Sequence, residues 1–294
     1  MPEGDTIHKV AAVVRRELDG EQLTRCLIRG VYGSERLRGA RVIEVEALGK
    51  HMLVHFDREV QLRVHLGMHG SWHRYPTGVR WKRSPKSAAV VLETERTSLV
   101  CFDPMEVEVI PTPQRHWHRQ LSNLGPDLLG DQEPDWSQLV ARCRLFHPAG
   151  DSLGEVLLDQ RVAAGLGNVY KSEVPFMGPL EEDPFSPSER AYSPWAAWQT
   201  VPKDDLIALW RRGRHLLQAN LGGWQRTTRV DRRTRGPHPE GALYVYGRVG
   251  RPCFRCGEEI ARDYQGLQNR VTYWCPDCQG PSPTANPGDS GRPG

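Results

Sequence analysis

The first two residues after the initiator methionine could do covalent chemistry. The chain opens Met1-Pro2-Glu3-Gly4-Asp5, so removal of Met1 leaves Pro2 as a free secondary amine with a carboxylate beside it. An α-amine titrates at roughly 7.7–8.0, against roughly 10.4 for lysine, so far more of it is nucleophilic at neutral pH without burial. Attack on an aldehyde-like carbon such as a sugar C1′ yields an iminium that cannot neutralise itself by losing an N–H proton. That cation draws electrons and promotes elimination of neighbouring phosphates. Glu3 is placed to protonate the opening sugar or to shuttle the proton elsewhere. Proline after methionine also merely permits Met1 removal, so the pair by itself does not decide the matter.

A second group lies near the other end. Cys253-x2-Cys256 is followed after eighteen residues by Cys275-x2-Cys278. Two such knuckles supply four thiolates in a closed tetrahedron, which predicts one structural Zn2+ with no open position for catalysis. The metal would hold a β-hairpin too short to fold alone, contributing on the order of 10 kcal/mol. Between the pairs runs Gln268-Asn269-Arg270-Val271-Thr272-Tyr273. An arginine at the tip of a stapled hairpin suits phosphate or groove contact, a solvent-facing arginine being the alternative.

The net charge of +3 says little, but its distribution says more: residues 203–236 hold nine Lys/Arg against three Asp. Arg226, Arg229, Arg232, Arg233 and Arg235 fall in a Gly/Thr-rich stretch without helical period. An isolated run of this kind reads as a solvated loop. Beside a zinc site and a terminal amine it points to an anionic polymer, DNA above all. The seven cysteines, odd in number and clustered, suit a reducing compartment and metal binding better than a disulfide framework. No apolar run reaches the roughly eighteen residues of a membrane span, and the N-terminus lacks a secretory segment. The expected location is cytoplasmic, nucleoid-associated, with no membrane partner.

The positioning elements can be read from periodicity. Asp5 or Thr6 can cap a first helix, and Ile7, Val10, Ala11, Val14 and Leu18 follow one apolar face. Such a helix would project Pro2 and Glu3 from its positive end, which favours an ionised Glu3 and disfavours a protonated amine. Short strand signals at 41–46, 51–56, 88–92 and 98–102 predict a β-sandwich, ended by Pro111-Thr112-Pro113. A helical region follows over about 125–221. Ser152-Leu153-Gly154-Glu155 is a capping box opening a helix through Gln160. A turn at 161–168 leads to a second helix that Pro175 should stop, and 203–219 reads as an amphipathic helix with Leu206, Leu209, Trp210, Leu216 and Leu217 inward. The tail from Gly280 is rich in Pro, Gly and Ser and should be disordered.

Three motifs together carry a resemblance. Met1-Pro2-Glu3-Gly4-Asp5-Thr6, the turn Gly165-Leu166-Gly167-Asn168-Val169-Tyr170, and the four-cysteine finger with Arg270 resemble the formamidopyrimidine-DNA glycosylase/endonuclease VIII family over about residues 2–280. The resemblance implies an α+β multidomain chain. It would comprise an N-terminal β-sandwich with an N-terminal helix, a helical helix-two-turn-helix domain and a C-terminal zinc-finger β-hairpin. The corresponding ranges are 2–118, 125–221, a flexible basic loop at 222–241, a finger at 242–280 and a disordered tail at 281–294. It implies a bifunctional DNA glycosylase and abasic-site lyase in which Pro2 is the Schiff-base nucleophile and Glu3 the acid/base. Lys50, in Gly49-Lys50-His51-Met52-Leu53, matches the β-domain lysine near the reacting phosphate. Asn168 and Arg270 match the two phosphate binders.

Gly165 and Gly167 would let backbone amides approach a phosphate at a helix N-terminus, or else form an ordinary helix–helix turn. Extruding a nucleotide costs a few kcal/mol and leaves a gap. His65-Leu66-Gly67-Met68-His69-Gly70 resembles the family's intercalation loop, with Met68 as an apolar wedge, a core methionine in a β-turn being the alternative. His65, His69 and His73 recur every four residues, but Gly67 and Gly70 argue against a metal-binding helix there. Gly4-Asp5 resembles the endonuclease VIII side, which prefers oxidised pyrimidines, although the Gln-Leu-Tyr wedge of some of its members is replaced here by Gly67, Met68 and His69. The expected partner is damaged double-stranded DNA, bound by a monomer. The competing reading is a non-catalytic zinc-finger DNA-binding or regulatory protein on the same scaffold.

Overall fold

The computed structural model describes residues 2–31, 33–223, 225–230, 238 and 240–282. The expected disordered tail from 283 onward, and residues 224, 231–237 and 239 of the expected flexible loop, lie outside the described residues. The chain divides into two compact units, Met1–Gly130 and Asp131–Gly294.

The first unit begins with α1 (Gly4–Leu18). Ile7, Ala11, Val14 and Leu18 are buried as their spacing requires, and each large apolar side chain so buried contributes roughly 1.5–3 kcal/mol. The cap differs from expectation. Glu3 is the N-cap residue, and Asp5 and Thr6 lie in the first turn. The Asp5 carboxylate accepts the N–H of its neighbour Thr6 (2.8 Å), so it serves a local turn.

Eight strands follow: β1 (Arg25–Ile28), β2 (Val42–Leu48), β3 (His51–Phe56), β4 (Val60–His65), β5 (Ser71–Pro76), β6 (Ala88–Glu93), β7 (Thr97–Phe102) and β8 (Glu106–Pro111). They form two four-stranded antiparallel sheets ordered β1-β6-β7-β5 and β2-β3-β4-β8, the sandwich anticipated from the strand signals. α1 packs on β2 and β3. Its apolar face joins Val45, Met52, Val54, Leu62, Val90 and Leu99 in the inter-sheet core. A short helix α2 (Arg119–Ser122) lies in the segment that leaves β8, where Leu121 packs on Leu53 and Ile110.

The second unit contains α3 (Trp136–Phe146), α4 (Leu153–Leu158), α5 (Asn168–Met177), α6 (Lys203–Ala219), the hairpin β9 (Ala261–Gln265) and β10 (Arg270–Trp274), and the short α7 (Pro276–Gln279). The Ser152/Glu155 capping box is present, though α4 ends at Leu158 rather than Gln160. α6 buries the five apolar residues its period singled out. Pro175 does not stop α5, which runs on to Met177. The turn after Pro175 is held from outside: Tyr192 N–H donates to Pro175 O (2.9 Å) and Ser188 N–H to Met177 O (2.8 Å). Every residue of α5 is buried, so packing outweighs the bond that proline cannot donate. Gly178, at φ 74°, then ends the helix in a backbone region that favours glycine.

Candidate functional site

In the first unit the helix start sets the geometry of Pro2 and Glu3. The Glu3 backbone is extended, and its carbonyl accepts the N–H groups of Thr6 (2.9 Å) and Ile7 (3.0 Å). Its side chain does not cap the helix. The carboxylate is therefore buried at the positive end of α1, next to a half-buried Pro2.

The sheet β2-β3-β4-β8 gathers three turns at one end. His51 pairs with His65, and His65 pairs with Glu106. The Gly49-Lys50 turn before β3, the turn over residues 66–70 after β4, and residues 103–105 before β8 therefore share that end. Lys50 is half-buried in the first of them. Asp127 ties this turn to α1. Its Oδ2 accepts the Gly49 N–H at 2.7 Å and lies 3.5 Å from His8 Nε2 on α1, while Oδ1 accepts the Leu129 N–H at 2.8 Å. The helix that carries Pro2 and Glu3 is thus joined to the Lys50 turn through one carboxylate.

Behind Lys50 the sheet carries a buried polar cluster. Arg63, fully buried, donates to Glu106 (2.6 Å), to Glu108 (2.9 Å) and to His51 Nδ1 (3.0 Å). Burial, reinforced by the neighbouring His65 and the Arg63 guanidinium, pushes His51 down to about 3, so it stays neutral and accepts from Arg63. This network braces the strand that follows Lys50.

The 66–70 turn is not helical. Gly67 has φ 62°, and Gly70 donates its N–H to Leu66 O (3.0 Å). Met68 is 61% exposed at its tip, which removes the core-methionine alternative. A second exposed methionine, Met105 at 64%, stands beside it, close enough that a side chain at Gly67 would collide with it.

In the second unit, the N-terminus of α5 and the β9–β10 hairpin form one assembly. Asn168 Nδ2 donates to Val271 O (2.7 Å), and Lys171 Nζ, almost wholly buried, reaches Thr272 Oγ1 (2.6 Å) and Val271 O (3.2 Å). Thr272 Oγ1 donates to Gln265 Oε1 (2.8 Å), and Gln265 Nε2 donates to Ser152 Oγ (2.9 Å) at the start of α4. The side chain of Asn168 is engaged with the hairpin, one residue from Arg270. Arg270 opens β10, opposite Gln265, and is not at the hairpin tip, which is formed by residues 266–269.

The two glycines before α5 separate. Gly165 has φ 121°, a region that side chains rarely adopt, whereas Gly167 is extended, as any residue can be. Gln160 staples the turn, accepting the Gly165 N–H (3.0 Å) and donating to Leu158 O (2.7 Å) and Leu166 O (2.9 Å). Further along α5, the buried Glu173 carboxylate accepts the N–H groups of Tyr244 (2.8 Å), Val245 (2.8 Å) and Tyr246 (2.7 Å), and the Thr228 hydroxyl. It thereby holds both flanks of the basic segment. Of the basic run, Arg212 is buried and spent on the carbonyls of Gly178, Pro179, Pro184 and Ser186, so it takes no part in a charged surface.

Cys253, Cys256, Cys275 and Cys278 bring their sulfurs within 4.8 Å of one another. Their separations include 4.0 Å (Cys253–Cys278), 3.4 Å (Cys256–Cys275) and 3.5 Å (Cys256–Cys278). A tetrahedral ion with metal–sulfur bonds of about 2.3 Å needs about 3.8 Å between sulfurs, so the donor set fits a thiolate-loving cation. The Arg255 N–H points at Cys253 Sγ (3.4 Å) and the Cys278 N–H at Cys275 Sγ (3.5 Å), the backbone support a thiolate needs.

Asp127, Lys171, Gln160 and Glu173 were missed by sequence reasoning. Lys171 had a signal, since at i+3 from Asn168 it shares that residue's face. Asp127 had only its place after Gly125-Pro126, and its partners are distant in sequence.

Residues 1–109 match the family model of the formamidopyrimidine-DNA glycosylase N-terminal domain. The chain is 37% identical over 288 residues to a probable endonuclease 8 2 of Streptomyces coelicolor, covering 96% of each chain. It is 39% identical over 281 residues to the DNA-(apurinic or apyrimidinic site) lyase Nei2 of Mycolicibacterium smegmatis, covering 95% of this chain and 99% of that one. Among solved structures it resembles the MutM (Fpg) protein of Thermus thermophilus (TM-score 0.72, 25% identity, 96% and 100% coverage). It also resembles the Lactococcus lactis formamidopyrimidine-DNA glycosylase bound to DNA containing an AP site (TM-score 0.74, 19% identity, 95% and 100% coverage).

Proposed function

Because the chain belongs to the formamidopyrimidine-DNA glycosylase/endonuclease VIII family, on its endonuclease VIII side, we propose that it excises oxidised bases, pyrimidines foremost, through a Schiff base on Pro2. Its class of activity is that of a bifunctional DNA glycosylase and abasic-site lyase of base excision repair. The Pro2 nitrogen attacks C1′ of the damaged nucleotide, the N–C1′ bond forms, and the base leaves with a proton. Glu3 protonates the opening sugar and later moves protons between intermediates. The iminium acidifies C2′, and β- then δ-elimination expels the two flanking phosphates. Lys50 meets the reacting phosphate and Met68 fills the gap left by the extruded nucleotide. Arg270 and the N-terminus of α5 at Gly167 and Asn168 hold further phosphates, while Gly165, its N–H taken by Gln160, shapes the turn that presents them.

One observation carries this reading: a buried Glu3 beside Pro2, on a helix tied by Asp127 to the turn that bears Lys50. The same carboxylate–amine pair is what a merely DNA-binding relative would have no reason to keep. We assign Zn2+ to the four cysteines; when bound it neutralises the thiolates and holds the hairpin, and it takes no part in the reaction. The substrate is damaged double-stranded DNA, the working form a monomer and the location cytoplasmic, nucleoid-associated. Among the described residues no helix is long and apolar enough to cross a membrane.

Borohydride reduction in the presence of abasic DNA should trap a covalent protein–DNA complex, and intact mass should show Met1 removed. Glu3→Gln should slow base removal by about 10²–10⁴-fold, and Pro2→Gly should abolish normal excision, with DNA still bound. Full excision by both variants would refute the assignment. A lesion panel of thymine glycol, dihydrouracil and oxidised guanine tests the preference for pyrimidines.

A further inference from the structure

Between β5 and β6 the chain runs Val79-Arg80-Trp81-Lys82-Arg83-Ser84-Pro85-Lys86, with four cations and no carboxylate. The segment is well tied down. Trp81 packs on Tyr75 and Phe102, at ring-centroid distances of 6.4 Å and 6.1 Å. Arg83 donates to Ser71 Oγ (2.9 Å) and pairs with Asp103 (2.5 Å) while lying over the Phe102 ring. Ser84 accepts the Lys86 N–H (3.3 Å), and Arg29, just after β1, reaches the carbonyls of Pro85 and Lys86.

Arg83 is neutralised by Asp103, but Arg80, Lys82 and Lys86 are exposed, and among the described residues no carboxylate pairs with them. Concentrating unpaired like charges on a braced loop costs self-repulsion, which an anionic partner relieves. The anchors also fix where the loop stands. Ser71 directly follows the Met68 turn, and Asp103 lies two residues before Met105. Arg83, and with it Lys82 and Lys86, therefore stands at the end of the sandwich where the two exposed methionines project, and Arg80 lies three residues before Arg83, on the limb of the loop that leaves Pro76.

We propose that the 79–86 loop is a second phosphate-binding surface, in which Arg80, Lys82 and Lys86 grip the DNA backbone a few nucleotides from the extruded base. This rests on the reading of Met68 as the wedge. The backbone carries one charge per about 1.7 Å of duplex axis, so phosphates beside a wedge fall within reach of long cationic side chains. The contact is sequence-independent: it lengthens the footprint and the residence on undamaged duplex, and reads no base.

The test is the salt dependence of duplex binding by Arg80→Ala/Lys82→Ala/Lys86→Ala, measured beside the wild-type protein and Arg58→Ala, which removes a cation from the β3–β4 turn at the opposite end. If the three cations neutralise three phosphates, the log–log slope becomes shallower by about 2.7, so the affinity lost between 50 and 200 mM salt is about 40-fold smaller in the triple variant. Arg58→Ala keeps the wild-type slope. An unchanged slope in the triple variant, or an equal change in Arg58→Ala, overturns the proposal. Borohydride trapping of the wild-type protein reports separately on Pro2, so failure of the chemistry and failure of this surface are told apart.

Discussion

Replacing Lys171 by Met should loosen the zinc-finger hairpin without touching a metal ligand. Methionine keeps most of the buried aliphatic volume, so the change is mainly the loss of the ammonium. Lys171 Nζ reaches Thr272 Oγ1 at 2.6 Å and Val271 O at 3.2 Å. Charge-assisted bonds contribute about 1.5–3 kcal/mol each, but burying an ammonium offsets part of that gain. The damage is further limited because Val271 O keeps Asn168 Nδ2, and Thr272 keeps its bond to Gln265. A net loss of about 2–3 kcal/mol in docking the hairpin on α5 follows. Hydrogen exchange of the amides in residues 261–274 should then speed up by roughly 30- to 140-fold, while zinc content stays at one per chain. On the proposed phosphate-binding role of Arg270, DNA affinity should fall as well, because the neighbouring Val271 carbonyl loses one of its two donors. Unchanged exchange in the hairpin would show that the lysine does not hold it. Loss of zinc together with protection throughout the unit would show that it supports the whole unit instead.

Three further outcomes are expected. Asp127→Ala removes the acceptor of the Gly49 and Leu129 N–H groups and should lower single-turnover excision by about 10-fold or more, with far less effect on DNA affinity; an affinity loss as large as the rate loss would contradict its role in placing the Lys50 turn. His147 sits between Asp151 (2.8 Å) and Asp159 (3.0 Å), and although burial opposes it, those carboxylates hold its pKa above the ordinary value. Its contribution to stability is full below about pH 6.5 and fades as pH rises through the raised folded value, so thermal melts of His147→Gln should differ most from wild type at pH 6 and converge in alkali. A constant difference across that range would exclude the ion-pair account. Finally, a chelator strong enough to strip the four cysteines should weaken DNA binding and unprotect the hairpin, yet leave borohydride trapping at high enzyme and DNA concentrations; abolished trapping would place the metal closer to the chemistry than a closed thiolate site allows.

Where one interaction dominates locally, the residues themselves were enough. The period of Ile7, Ala11, Val14 and Leu18 sets α1, short strand-forming segments set the sandwich, Ser152 and Glu155 open α4, and two CxxC pairs bring four sulfurs together. The start of the chain put Pro2 beside the Glu3 carboxylate for the same reason: neighbours in sequence are neighbours in space. Local rules failed where distant chain competes with them. The backbone at Glu3 took the cap that Asp5 and Thr6 could have supplied, and external bonds to Pro175 and Met177 carried α5 past a proline.

Only the tertiary structure decided what positions the candidate site residues. Asp127 meets Gly49 and His8 from 78 and 119 residues away, and Lys171 meets Thr272 across 101. A carboxylate or ammonium carries no sequence signal of its eventual partner, because charge pairs by distance in space and any of dozens of groups would satisfy it. Apolar periodicity and metal-ligand spacing are repeated along the chain and can be read from it, whereas a single polar contact between remote segments exists only once the fold has brought them together.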